Sequence, residues 1–171
     1  MVLTRFRPIL QKFVDQGADF IVVGGVAALI RAAPILTFDL YLVHSRHPDN
    51  LPRVVSALHS LDAYYRMQAA RHLCPNESHL ASPGHHLLMT DFGPLDLLGT
   101  IGDKRSFEDL LSHSTVEVIE PDLNIRVVNL ETLIATKEEA GRDKDLAVLP
   151  TLRATLAEIR RLQSSSSTTS E

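Results

Sequence analysis

The run Phe20-Ile21-Val22-Val23 passes directly into Gly24-Gly25, and this junction restricts the possible folds more than any other feature of the chain. A short apolar run rich in β-branched residues reads as a strand covered on both faces, here over residues 19–23. Two glycines allow a turn without Cβ interference, and Val26 to Arg31, ending before Pro34, reads as a helix. A strand that enters a helix through bare glycine backbone offers N–H groups that a phosphate can approach closely. The next strand is predicted over residues 38–43, within Thr37-Phe38-Asp39-Leu40-Tyr41-Leu42-Val43. Side chains two apart on a strand share a face, so an Asp-x-Asp there would aim two carboxylates at one divalent cation. This chain has Asp39 in the first place and Tyr41 in the second.

The composition bounds what such a junction can belong to. With 171 residues, 44% of them hydrophobic, and no long charge block, the chain can bury the core of one globular domain. A formal charge of -4 gives no broad electrostatic footprint for DNA or RNA, although it leaves room for a local basic patch or a contact with the end of a tRNA. Cys74 is the single cysteine, so an internal disulfide framework and a Cys-based zinc site are both excluded. No apolar run approaches the ~20 residues of a membrane span. Arg5, Arg7 and Lys12 interrupt the first turns, which therefore read as a helix and not as a secretion signal, and a cytoplasmic address is expected.

Around the junction, the periodicity changes element by element. Phe6, Ile9, Leu10, Phe13 and Val14 form one apolar stripe of a helix ended by Gly17. Pro48 to Leu61 reads as a helix, Ala63 to Met67 as the start of an aromatic strand, and His72 to Gly84 as a loop. His72, His79, His85 and His86 match no standard zinc spacing and are expected to be solvated. His86 to Asp91 and Leu95 to Thr100 are β-compatible runs joined by Phe92-Gly93-Pro94, a hairpin with Asp96 on its second arm. A helix near Ser106 to Ser112 precedes strands at Thr115 to Ile119 and Ile125 to Val128. Asn129 caps a helix that runs through Lys137 to Gly141, and a last helix spans Asp143 to Leu162 with a bend at Pro150. The domain thus covers residues 1–162, with a core over 17–128 and C-terminal helices over 129–162. The Ser- and Thr-rich stretch 163–171 is expected to be a disordered tail.

In their order and spacing, Gly24, Gly25, Thr37, Asp39 and, within Gly93-Pro94-Leu95-Asp96-Leu97-Leu98-Gly99, Asp96 resemble the nucleotidyltransferases of the DNA polymerase β type. The late Lys137 followed by Arg142-Asp143-Lys144-Asp145 is similar to the small bacterial members grouped with type IV abortive-infection toxins. The resemblance spans most of residues 17–160 and implies an α/β (α+β) fold: a mixed, twisted sheet flanked by helices, with a helical C-terminal part. It also implies a magnesium-dependent enzyme that transfers a nucleoside monophosphate from an NTP to a hydroxyl on RNA, such as a tRNA, or on protein. A toxin of this kind would be held by an antitoxin protein. By the same resemblance, Asp39 and Asp96 are the metal-binding and catalytic carboxylates, while Gly24, Gly25, Thr37, Lys137, Arg142 and Lys144 contact the nucleotide. The chain departs from the pattern at Tyr41, where an Asp is usual, and at Ile35, where an Arg is frequent.

That chemistry needs carboxylates. Two divalent ions clamp the attacking and leaving oxygens in the usual scheme, and a phenol that titrates near pH ~10 is a neutral, weak ligand for a hard cation at neutral pH. Asp39, Asp96 and the nucleotide's own phosphates could hold one ion, with the second poorly held, so impaired transfer is expected. Each feature also has a purely structural reading. Gly24-Gly25 can be a tight turn, Asp96 an edge residue, and Lys137, Arg142 and Lys144 cations that complement a helix end. The alternative to an enzyme is a non-catalytic nucleotide-binding or protein-interaction module on the same scaffold.

Overall fold

The computed structural model describes residues 2–167. Helix α1 (Val2–Asp15) leads into β1 (Phe20–Val23), α2 (Gly24–Ile30), β2 (Leu40–His44), α3 (Leu51–Ser60) and the short β3 (Tyr64–Tyr65). A single helical turn, α4 (Glu77–Leu80), precedes the hairpin β4 (His85–Thr90) and β5 (Gly93–Leu98). Another short helix, α5 (Phe107–Leu110), precedes β6 (Ser114–Glu120) and β7 (Leu123–Val128), and the chain closes with α6 (Leu130–Ala140) and α7 (Asp143–Ser167).

The seven strands form one mixed sheet in the order β3-β4-β5-β2-β1-β7-β6. β1 runs antiparallel to β2 and parallel to β7, while β2 runs parallel to β5. The unbroken apolar run of β1 follows from this placement: it is an inner strand, and all four of its residues are buried. The α1 stripe of Phe6, Ile9, Leu10 and Phe13 is buried in the same core. Asn50 ties the entrance of β1 to the exit of β2. Its buried side chain accepts from the Asp19 N–H at 2.7 Å and donates to the carbonyls of Asp19 and Ser45 at 3.0 and 2.8 Å. The α6 ends fall where capping chemistry puts them: Asn129 accepts from the Thr132 N–H, and Gly141 turns left-handed at φ 60°.

Several expected boundaries move, each for a local reason. β2 begins at Leu40 and not at residue 38, which leaves Asp39 just ahead of the strand, in irregular chain where the Thr37 hydroxyl donates to the Asp39 carbonyl. The aromatic strand stops after Tyr65 because the chain winds into a 3₁₀ turn, Arg66–Arg71. In the expected loop, Asn76 and His79 cap each other's backbone and create α4. α7 continues past Leu162 through Ser167, so residues 163–167 of the expected disordered tail are helical. The hydroxyls of Ser164, Ser165 and Ser166 bond back to the carbonyls of Arg160, Arg161 and Leu162, replacing water on the last turns. The remainder of that tail, 168–171, lies outside the described residues. Among the described residues no helix is long and apolar enough to cross a membrane.

The expectation of solvated histidines fails at His86. It lies within β4, is 5% exposed, and faces the same side of the sheet as the fully buried His44 of β2, with ring centroids 6.2 Å apart. The Tyr65 hydroxyl lies 2.8 Å from His86 Nδ1, and His44 Nε2 donates to the Leu80 carbonyl at 2.8 Å. Burial lowers the His44 imidazolium's pKa. Burial, reinforced by His44, His79 and His85, lowers that of His86 to about 4. Above pH 6.5 the ring is neutral in both folded and unfolded chains and contributes no pH dependence. Below that value the unfolded chain gains a proton that the folded one refuses, so stability falls with pH until His86 itself titrates near 4. Urea unfolding between pH 7 and 4 is expected to show His86 contributing a loss of up to about 3 kcal/mol, and the His86→Leu variant should lose that part of the slope.

Candidate functional site

On the opposite face of the sheet from the two buried histidines, β5 presents Asp96 between Leu95 and Leu97, both fully buried. In the parallel register of β2 and β5 its neighbour is Tyr41, and in the antiparallel register of β4 it is Leu87. Asp39 stands two residues before Tyr41, at the entrance to the same strand, half-buried. Its carboxylate reaches the group electrostatically. Burial raises the Tyr41 phenol above its ordinary pKa and Asp96 and Asp39 add to this, partly offset by Arg142 and Arg66. Tyr41 is therefore a neutral phenol at neutral pH.

The two glycines are shaped by the side chains that follow them. Gly24 has φ +66°, and a Cβ there would sit 2.5 Å from Tyr41 Cδ2, so the tyrosine ring fills the space beside it. A Cβ on Gly25 would fall 2.6 Å from both Cβ and Oγ1 of Thr37. Either contact is closer than carbon atoms tolerate, so Tyr41 and Thr37 each demand a glycine.

Asp96 is 5% exposed, and its charge is met by Arg66 from the 3₁₀ turn after β3. Arg66 Nη1 donates to Asp96 Oδ1 at 2.5 Å, and Nη2 lies 3.4 Å from Oδ2, so the fork engages both carboxylate oxygens. Nη1 also lies 3.3 Å from the Leu88 carbonyl. The hydrogen bond to Asp96 raises the Arg66 pKa, and Asp96, Asp39 and Tyr41 add to it against the effect of burial. Nothing in the sequence pattern marked Arg66: it follows an aromatic pair expected to continue as a strand, and only the turn after Tyr65 brings it over β5.

Facing this patch is the junction of α6 and α7. Asp145, 1% exposed, accepts from Lys137 Nζ at 2.8 Å and from Arg142 Nε at 2.5 Å. Burial pushes the Asp145 carboxyl pKa up, but the hydrogen bonds from Arg142 and Lys137 outweigh it and leave it below the usual range. Lys144 is exposed at the rim. The intervening cleft has a volume of about 1010 Å³, and its walls include Gly24, Tyr41, Arg66, Asp96, Lys137 and Arg142. Lys144 and Asp145 also border it, whereas Gly25, in the first turn of α2, and Thr37, packed against it, are not among its lining residues. Of the residues singled out from sequence, Gly24, Asp96, Lys137, Arg142 and Lys144 thus share one cleft, and Asp39 acts on it from the entrance of β2. Arg66 and Asp145 complete the set.

No protein-family model matches the chain, and no curated protein does. Among solved structures, the fold is similar to that of a "putative nucleotidyltransferase" from Thermotoga maritima. The TM-score is 0.51 at 16% sequence identity, over 91% of this chain and 92% of the other. The chain has a nucleotidyltransferase-like fold.

The sequence resemblance implies divalent metal at Asp39 and Asp96, and the residues present do not fit a two-ion clamp. The middle ligand position holds a neutral phenol packed on Gly24, and both oxygens of Asp96 are engaged by Arg66. Among the described residues no group of three or more His, Cys, Asp and Glu side chains could hold a metal ion. What the cleft offers is cationic hydrogen-bond donors from Arg66, Arg142, Lys137 and Lys144 beside the Tyr41 phenol, with Asp103 and the Arg105-paired Glu139 also among its lining residues.

The contact between Gly24 and Tyr41 is directly testable. Gly24→Ala is expected to destabilise the fold by about 1 to 3 kcal/mol through overlap with the ring and left-handed strain. In a Tyr41→Ala background the cost of Gly24→Ala in denaturant unfolding should fall by at least half, since the overlap is gone and only the backbone cost is left.

Proposed function

We propose that this protein binds a nucleoside triphosphate in the cleft through its phosphates, and that nucleotidyl transfer is disabled in it at Tyr41. One observation carries this: a cleft walled by Arg66, Arg142 and Lys137 on the strand face that carries Asp96, with a phenol beside it where the sequence resemblance calls for a carboxylate. Arginine forks match phosphate oxygens in pairs, and Lys137 and Lys144 supply point charges. Lys137 and Arg142 are held in place by Asp145, which positions their remaining donors at the cleft wall before a ligand arrives.

A second reading is favoured by the register that sets Tyr41 beside Asp96, with Asp39 near enough to act on the Tyr41 phenol. Because residue 41 lies beside Asp96 in register, a single side chain separates this site from a three-carboxylate arrangement. Under that reading the chain is a transferase with impaired activity. It delivers a nucleoside monophosphate to a hydroxyl of a tRNA or a protein, as a toxin held by an antitoxin would, with a weakened magnesium site at Asp39 and Asp96.

Labelling separates the two. The native chain and Tyr41→Asp are incubated with each radiolabelled NTP, magnesium and a cell extract. The native chain is expected to label no RNA or protein. Tyr41→Asp is expected to label an acceptor at a rate higher by orders of magnitude, since charge stabilisation by a positioned metal is worth several kcal/mol and each ~1.4 kcal/mol is tenfold in rate. Labelling by the native chain itself would establish the second reading and remove the first.

A further inference from the structure

A buried carboxylate on an apolar strand needs a positive partner, and in this cleft the partner is part of the chain. Arg66 places one guanidinium nitrogen 2.5 Å and the other 3.4 Å from the two oxygens of Asp96, so the fork occupies both oxygens that a metal ion would need. The arginine side chain is itself 28% exposed and borders the cleft. A guanidinium carries five N–H donors in a rigid fork. Those not directed at Asp96 and the Leu88 carbonyl are available to an anion in the cleft. Tyr41 adds a neutral hydroxyl next to Asp96, where a carboxylate would have added repulsion toward phosphate.

We propose that Arg66 is the resident cation of this site, so that the cleft takes the metal-free form of a nucleoside triphosphate and needs no divalent ion to bind it. This inference rests on the nucleotide-binding role proposed above. A magnesium-chelated triphosphate brings its own cation, which would approach the Arg66 guanidinium as a like charge and could reach Asp96 only by displacing it. A free triphosphate brings only acceptor oxygens to the Arg66 and Arg142 forks, and its own charge keeps it away from Asp103 and Glu139 on the same cleft. Arg66 thereby decides which form of the nucleotide is bound, and it does so through its forked geometry as well as its charge.

Calorimetric titration of the full chain with ATP, GTP, CTP and UTP, each in excess magnesium chloride and again in excess EDTA, tests this. At least one nucleotide is expected to bind in EDTA with an affinity equal to or greater than that in magnesium. In Arg66→Gln, affinity in EDTA should fall by about tenfold or more, the scale of one charge-assisted hydrogen bond, while magnesium should now strengthen binding because Asp96 is released. Arg66→Lys keeps the charge without the fork and is expected to lose affinity in EDTA by an intermediate factor. It also serves where Arg66→Gln fails to fold by thermal melting. Binding seen only in magnesium would overturn the role of Arg66 and leave the nucleotide-binding proposal standing. Binding of no nucleotide under either condition would overturn both.

Discussion

The site is organised by the ion pair between Asp96 and Arg66. A carboxylate flanked by Leu95 and Leu97 on an inner strand costs several kcal/mol of desolvation unless it is paired and hydrogen-bonded. The sequence meets that requirement from a distance of thirty positions, through the 3₁₀ turn that interrupts the aromatic edge strand. The pair fixes the character of the cleft: it removes a negative charge from the floor, holds a cation there permanently, and leaves Tyr41 beside it as a neutral donor. Removing Arg66 alone would leave the Asp96 charge buried and unpaired, so the two residues are better regarded as one group than as two.

The opposite wall repeats this pattern with the same signs. Asp145 is buried in the junction of α6 and α7, and two cations, Lys137 and Arg142, reach it from the preceding helix and turn. Asp103 and Glu139 also line the cleft, Glu139 held by Arg105, and both walls offer arginine donors whose direction is set by an acid behind them. The cleft is therefore preorganised for acceptor oxygens and unsuited to a bare divalent ion.

Much of the fold could be read from local sequence. The unbroken apolar run of β1, the stripe of α1, the Asn129 cap and the left-handed Gly141 are each set by a few adjacent residues, and their elements lie where periodicity and capping chemistry put them. The hairpin carrying Asp96 is there as well, with its first strand one residue earlier than expected and its second two. What could not be read is non-local. Arg66 acquires its role only because β3 lies beside β4, and β4 beside β5, on one edge of the sheet. His86 resembles its neighbours in a histidine-rich stretch, and its burial depends on β2 placing His44 on the same face. The serines after Leu162 have the composition of a tail, yet their hydroxyls satisfy the carbonyls of the helix they extend. In each case local composition gave one answer, and a partner distant in sequence or a preceding turn of helix decided otherwise.

The packing of Tyr41 on Gly24 has a consequence for how such sequences are recognised. In a working phosphate site a double glycine is retained because a ligand must come close to the backbone. Here the same residue is demanded by an aromatic ring, and the neighbouring Gly25 by the methyl and hydroxyl of Thr37. The signature is thus maintained by the protein's own interior. Because Tyr41 and Thr37 require it whether or not a ligand is bound, the double glycine in this chain reports on that packing before it reports on a phosphate.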